Sequence, residues 1–280
     1  MLKKIDFKDL KLEDVKGEVV IRDQSINLSD LCMSSNIGSG DLTMVYTTKT
    51  DQEATMGFEL SLNDILVERL ISLFPDIDTL VPMLRSFEGM VDCQMTATCK
   101  ADSTMSVLLP SVNASCYLSG KNMVLLDGET FTEISKTLMF KNKKRNMIDS
   151  IAVDLAIHDN KIEVFPFLVE MDRYKVAVGG THNLDMTFDY HLSVLKSPVP
   201  FKLGIDIKGN LDDFKFKIVK CKYKDFLKPT KQAELDSTRR NVREEIRETI
   251  RKQIREAAPE LGNSLSEIHP HTHGHVEEST

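Results

Sequence analysis

The chain predicts a mainly β protein: an antiparallel, strongly twisted meander curled into a groove or half-barrel, with short packing helices and a long C-terminal helix. Three observations predict it. Residues 148–219 alternate apolar and polar side chains with a period of two, the pattern of strands with one greasy and one wet face. The gaps between these runs are too short for helical crossovers, so neighbouring strands pair antiparallel. After Pro229 the pattern changes to an Arg- and Glu-rich stretch with helical spacing.

The strands of the central region are read from parity. Ile151, Val153, Leu155 and Ile157 alternate with Ala152, Asp154, Ala156 and His158. Val164, Val176 and Val178 lie on the apolar parity of the next two strands. Met186, Phe188, Tyr190, Leu192 and Val194 alternate with polar residues, as do Leu203, Ile205 and Ile207, then Phe214, Phe216 and Ile218. Turn signals stand at Asp159-Asn160, Asp172-Arg173, Gly179-Gly180 with His182-Asn183, and Gly209-Asn210. Between Lys161 and Val169 the parity switches at Phe165-Pro166-Phe167. Proline cannot donate to a ladder, so a bulge or an edge is expected there.

Earlier in the chain, short strand runs around Ile5, Phe7, Val19, Ile21, Ile26, Leu28 and Met44 to Thr48 are separated by Lys16-Gly17, Asp23-Gln24 and Ser35 to Gly40. The chain opens in mid-meander, which points to a piece of a longer protein or one lacking its usual N-terminal part. Ser61 to Phe74 reads as a helix with Leu62, Ile65, Leu66, Leu70 and Phe74 on one stripe and Pro75 as its stop. A second helix is expected from Asp78 to Phe87, and a third near 129–140, over Phe131 to Phe140. Between them, strands are expected over Met90 to Lys100, Thr104 to Leu109, Val112 to Leu118 and Met123 to Leu126. Lys141 to Arg145 reads as a solvated basic loop.

Composition bounds the function. With 280 residues and 41% hydrophobic content, the chain can bury a substantial core. Its net charge of -7 argues against a general nucleic-acid binder. No window reaches the roughly 18–20 apolar residues of a membrane span, and Met1 to Lys11 has no apolar signal-peptide segment. Of the five cysteines, Cys32, Cys93, Cys99, Cys116 and Cys221, none is paired at metal or redox spacing. Cys93 and Cys99 fall in one strand about 20 Å apart, beyond disulfide reach. These cysteines read as buried free thiols.

The C-terminal region divides into a charged helix over 229–260 and a tail over 261–280, after a β region over 1–228. In the helix, Val242, Ile246, Ile250 and Ile254 form a narrow stripe, with Arg239, Arg243, Arg247, Arg251 and Arg255 stepping by four beside it. Glu244 and Glu248 can pair with those arginines. The helix either rests a thin edge on the sheet or offers the arginines to an anionic membrane surface or an envelope protein partner. The tail reads as disordered by composition, and its His269, His271, His273 and His275 offer no more than weak, incidental metal capture.

No nucleophile-base set, HExxH, CxxC pair, EF-hand loop or phosphate loop stands out, and Ser39 between Gly38 and Gly40 lacks the frame of a nucleophile elbow. Asp185 and Asp189 fall on the wet parity, where carboxylates need no catalytic explanation. The expectation is a non-enzymatic protein with no cofactor.

A further set of residues carries a resemblance: Asp127-Gly128 ahead of a helix, Ile148 to Ile157 with Asp154, Asp159 to Phe167, and Val178 to Tyr190 with the Gly-x-x-Asn-Leu-Asp frame of Gly180, Asn183, Leu184 and Asp185. Over roughly residues 1–220 the chain resembles the C-terminal region of the AsmA-like family, the repeating β-groove proteins of Gram-negative envelopes that include TamB. The resemblance implies a periplasmic β-groove, normally tethered to the inner membrane by an N-terminal helix that this sequence does not contain. It also implies a part in phospholipid transport to the outer membrane and in its assembly. It offers no catalytic residues.

A one-sided sheet must cover its apolar face, and three short helices are too few to cover so many strands. Phospholipid acyl chains would supply the cover. Ile151 to Ile157, Val164, Val176, Val178, Met186 to Val194 and Leu203 to Ile207 on the apolar parity are therefore the expected groove lining, contributing apolar surface and no chemistry. A scaffold for outer-membrane proteins, with a dry interior and exposed strand edges, is the alternative.

Overall fold

The computed structural model describes the chain except residues 1, 8–9, 23, 36–37, 51–52, 74–86, 103–105, 126–145, 172–173, 186, 198–201, 211–212 and 258–280. The predicted second and third helices and the histidine tail lie largely or wholly outside the described residues. Phe87, placed at the end of the second helix by the sequence, instead pairs as strand.

The described strands are β1 (Leu2–Phe7), β2 (Leu10–Arg22), β3 (Ser25–Ser35), β4 (Gly38–Thr50), β5 (Glu53–Leu66), β6 (Phe87–Glu88), β7 (Met90–Ala101), β8 (Asn113–Leu125), β9 (Asn146–His158), β10 (Lys161–Met171), β11 (Tyr174–Asn183), β12 (Phe188–Lys196), β13 (Leu203–Gly209) and β14 (Phe214–Val219). All except the two-residue β6 form one antiparallel meander in sequence order, and β6 adds to β8 off that path. The order begins at β1 and ends at β14 without closing into a barrel. Among the described residues two α-helices accompany it: α1 (Val67–Leu73) and α2 (Pro229–Ala257).

The predicted strands of the central region are present, and the irregularity expected at Pro166 is a register shift between Val164 and Phe167. Asp159 and Asn160 both take positive φ, 49° and 60°, in the two-residue turn joining β9 to β10, the conformation of a type I′ hairpin. The Gly179-Gly180 turn is overturned. Both glycines sit in the middle of β11, and the turn falls at Leu184-Asp185. The glycines answer to close packing instead: a Cβ on Gly180 would collide with the Asp189 carbonyl oxygen, and one on Gly179 would meet Pro166.

Other boundaries also differ. The helix predicted from Ser61 is strand as far as Leu66, and only Val67–Leu73 is helical. The three-residue spacing of Leu62 and Ile65 comes from a bulge at Asp64, φ 56°, that mimics a helical stripe. Lys16-Gly17 is not a break but a second irregularity inside β2. The strands predicted over Val112 to Leu118 and Met123 to Leu126 fall, from Asn113 to Leu125, in one continuous strand, β8. Within the described part of the strand predicted over Thr104 to Leu109, Val107 makes an isolated bridge to Ala101, and a 3₁₀ turn covers Leu109–Ser111.

Asp14, Asp30 and Asp64 all take φ near +50°, each at a register shift. Short polar side chains tolerate that conformation, and bulges increase the local right-handed twist. Three of them within β2–β5 curl the sheet on its N-terminal side.

The two faces are covered differently. One apolar cluster extends across the inner face from β5 to β12 and takes in Val67 and Ile71 of α1. On the outer face, α2 crosses β4, β5, β7 and β8. Its 29 residues span roughly 43 Å at 1.5 Å per residue, enough to cross about nine strands spaced near 4.8 Å. Beneath it the outer-parity residues are small: Thr96, Thr98, Ser115 and Ala156 are all buried.

Candidate lipid-facing surface

Strand register defines the inner face atom row by atom row, because directly paired residues in an antiparallel sheet share a face. One row runs Ile21, Ile26, Tyr46, Met56 and Cys99 across β2 to β7. A second runs Val19, Leu28, Met44, Phe58 and Ala97, and continues through Ala114, Ile157 and Ile162. Further along, Val178, Leu192, Ile205 and Ile218 line up across β11 to β14. Along these rows the inner face is apolar from β2 to β14, with the buried His182 set between Ile162 and Phe188.

It is not equally open. Of the fifteen residues expected to line a groove, Ile151, Leu155, Ile157, Val164, Val176, Val178, Val194, Ile205 and Ile207 are buried by protein, while Val153, Phe188, Tyr190, Leu192 and Leu203 are half-buried. Met186 lies outside the described residues. Most of this set is therefore core. Burial pushes the Tyr190 phenol up to about 12. The open part lies on the N-terminal side, which the sequence reading did not single out. Ile26, Leu28, Leu31, Met33, Leu42, Met44, Tyr46, Met56, Phe58 and Leu60 are only half-buried, and Val19 and Ile21 are 56% and 75% exposed. A second exposed stretch lies at the far edge, at Phe216 and Ile218.

The arginine stripe of α2 is partly turned inward. Arg243 Nη2 donates to Asp154 Oδ1 at 2.7 Å and its guanidinium stands 5.8 Å from the Tyr117 ring centre. Arg239 lies 3.4 Å from Asp154 Oδ2 and donates to the Pro166 carbonyl at 2.5 Å. Asp154 is buried beneath them. Arg239 and Arg243 are therefore held against the sheet. Arg247 pairs with Glu244 at 3.3 Å. Arg251 and Arg255 lie in the last two turns of α2.

The sequence reading missed one constellation. His191 Nδ1 meets Asp206 Oδ1 at 2.6 Å, and its Nε2 meets Ser193 Oγ at 2.9 Å. The order resembles a catalytic triad, but the surroundings assign it another task. Ser193 is fully buried, and its Oγ accepts the Tyr223 backbone N–H at 2.9 Å. His191 Nε2 accepts the Lys222 N–H at 3.1 Å. With Nε2 accepting and Nδ1 facing a carboxylate, the imidazole carries its proton on Nδ1. The set clamps residues 222–223 onto the outer face, where Phe226 packs with Ala177 and Leu195. It was invisible in sequence because it depends on the pairing of β12 with β13 and on a backbone segment about thirty residues away.

The Gly-x-x-Asn-Leu-Asp frame is likewise a folding device. Asp185 Oδ1 accepts the Thr187 N–H at 2.9 Å and its hydroxyl at 2.6 Å, which holds the Asp185 carboxyl below its usual range. Leu184 N donates to the Asn160 carbonyl at 3.1 Å, tying two turns together. All five cysteines are free. Cys93 and Cys116 stand 3.8 Å apart at sulfur. That contact and burial raise the Cys116 thiol well above the ordinary range, leaving it protonated.

Among the described residues no cluster of His, Cys, Asp and Glu could hold a metal ion, and no helix is long and apolar enough to cross a membrane. No protein-family model, curated protein or solved structure matches the chain.

Proposed function

We propose that this chain is a non-enzymatic lipid-handling protein whose curled sheet holds phospholipid acyl chains along the open, N-terminal part of its inner face. The observation that supports this reading is the apolar surface left uncovered over β2 to β5, continuous in register with a buried core. A methylene leaving water gains about 0.8 kcal/mol, so a sixteen-carbon chain gains on the order of 12 kcal/mol from such cover. Aliphatic and Met side chains supply it without gripping one headgroup, as transfer along a surface requires. The resemblance to AsmA-like proteins suggests that the cargo is phospholipid and the setting the periplasmic side of a Gram-negative envelope.

Lipid extraction and native mass spectrometry of the purified protein test the reading. Phospholipid should co-purify, and the double variant Met44→Asp, Phe58→Asp should lose it while keeping the β signal in circular dichroism. Outer-face Glu59→Gln should retain it. A lipid-free wild-type protein contradicts the proposal.

The sealed centre of the inner face favours a second reading, a structural scaffold for outer-membrane proteins that works by offering its strand edges. Under that reading the purified protein carries no lipid, and the Met44 and Phe58 substitutions affect only stability.

A further inference from the structure

β14 closes the meander and is paired on one side only, to β13. Its two faces differ sharply. Phe216 and Ile218, on the inner face, are 40% and 61% exposed. Lys215 and Lys217 stand on the outer face, Lys217 directly across from Asp206 of β13, and Lys220, Lys222 and Lys224 follow on the segment that His191 and Ser193 hold against the outer face. Residues 214–228 hold six lysines and one acidic residue, Asp225, in a chain of net charge -7. Lys228 is paired with Asp225, and Lys222 lies 5.5 Å from the Tyr223 ring centre. Lys215, Lys217, Lys220 and Lys224 are exposed, with no ion-pair partner among the described residues.

Lysine on an edge strand is a common guard against pairing with another strand. That task does not call for exposed Phe and Ile on the opposite face, or for more lysines after the strand has ended. We infer that this edge docks on an anionic phospholipid bilayer, with the ammonium groups at the lipid phosphates and Phe216 and Ile218 entering the interface. Lysines reach such a surface on long apolar stems while their heads stay hydrated. Each contributes about fivefold to partitioning. The inference goes beyond lipid holding: it concerns another strand and does not require the trough over β2 to β5 to be loaded.

Flotation of the full chain with vesicles tests it. Binding should occur to phosphatidylcholine vesicles containing phosphatidylglycerol, fall with added salt, and be weak on phosphatidylcholine alone. Lys215→Gln with Lys217→Gln should weaken binding by at least tenfold. Phe216→Ser with Ile218→Ser should also weaken it while leaving the salt dependence in place. These side chains are exposed, so both variants should keep the wild-type unfolding midpoint. Equal binding to neutral and anionic vesicles, or no binding, overturns the inference. So does unchanged vesicle binding by a lysine variant that self-associates, which would make the lysines edge guards alone.

Discussion

Asp154 joins two parts of the chain that lie about ninety residues apart in sequence. It is buried on the outer face of β9, and Arg239 and Arg243 converge on its two oxygens. Removing it leaves two guanidinium groups against the sheet without their anion. Asp154→Ala should cost about 2 kcal/mol, the scale of a hydrogen bond to a charged group, read as a lower urea midpoint and faster amide exchange in α2. A second residue, half-buried Tyr190, reports on the C-terminal part of the inner face. The Tyr190 phenol is pushed up to about 12 by burial, above its ordinary value near 10. Folding then disfavours the phenolate, so this contribution to stability is full below about pH 10 and lost as pH rises toward 12. Phenolate absorbance should show a late step near pH 12, above the smaller delay expected of half-buried Tyr223, and Tyr190→Phe should remove it. A normal titration at Tyr190 would mean that water reaches its phenol on the β12 side of the inner face more freely than its surroundings indicate.

At the scale of elements, the period-two runs from Ile148 to Val219 made β9 to β14 legible, and Pro166 announced its own bulge. The helical spacing of Val242 and Ile246, with arginines beside it, made α2 legible. What was lost has a common cause: single residues whose roles depend on a partner strand. Asp30 and Asp64 look like turn formers but create bulges inside long strands, and Asp64 lent Leu62 and Ile65 a helical spacing. Gly179 and Gly180 also look like a turn. They are mid-strand because neighbouring backbone leaves no room for a Cβ. Gly180→Ala should therefore destabilise by about 1–3 kcal/mol, the range for overpacking, measured as a shift in the denaturation midpoint. A neutral effect would mean that β11 and β12 separate more easily than their register indicates.

Across the whole molecule, the sequence carried the fold class and the surplus of apolar strand surface, but not which part of that surface stays open. Opening depends on how bulges curl β2 to β5, on where α1 packs, and on which strands meet in the core. The candidate lining from Ile151 to Ile207 turned out to hold the core together, and the uncovered surface lies around Val19, Ile21, Met44, Met56 and Phe58. The outer face follows a different rule: small residues beneath α2 and a His191-centred clamp fasten the C-terminal segment where no cargo is expected. The molecule therefore divides into an outer face partly covered by α2 and the C-terminal segment, a largely buried centre of the inner face, and an apolar flank over β2 to β5 for which lipid is the proposed cover.

Site-specific photocrosslinking in cells tests that division most directly. A photoreactive side chain at Met44 or Phe58 should give adducts with the mass of phospholipid, and one at Glu59, on the opposite face of β5, should give none. Adducts absent from Met44 and Phe58, or equally abundant at Glu59, would contradict the lipid-facing assignment.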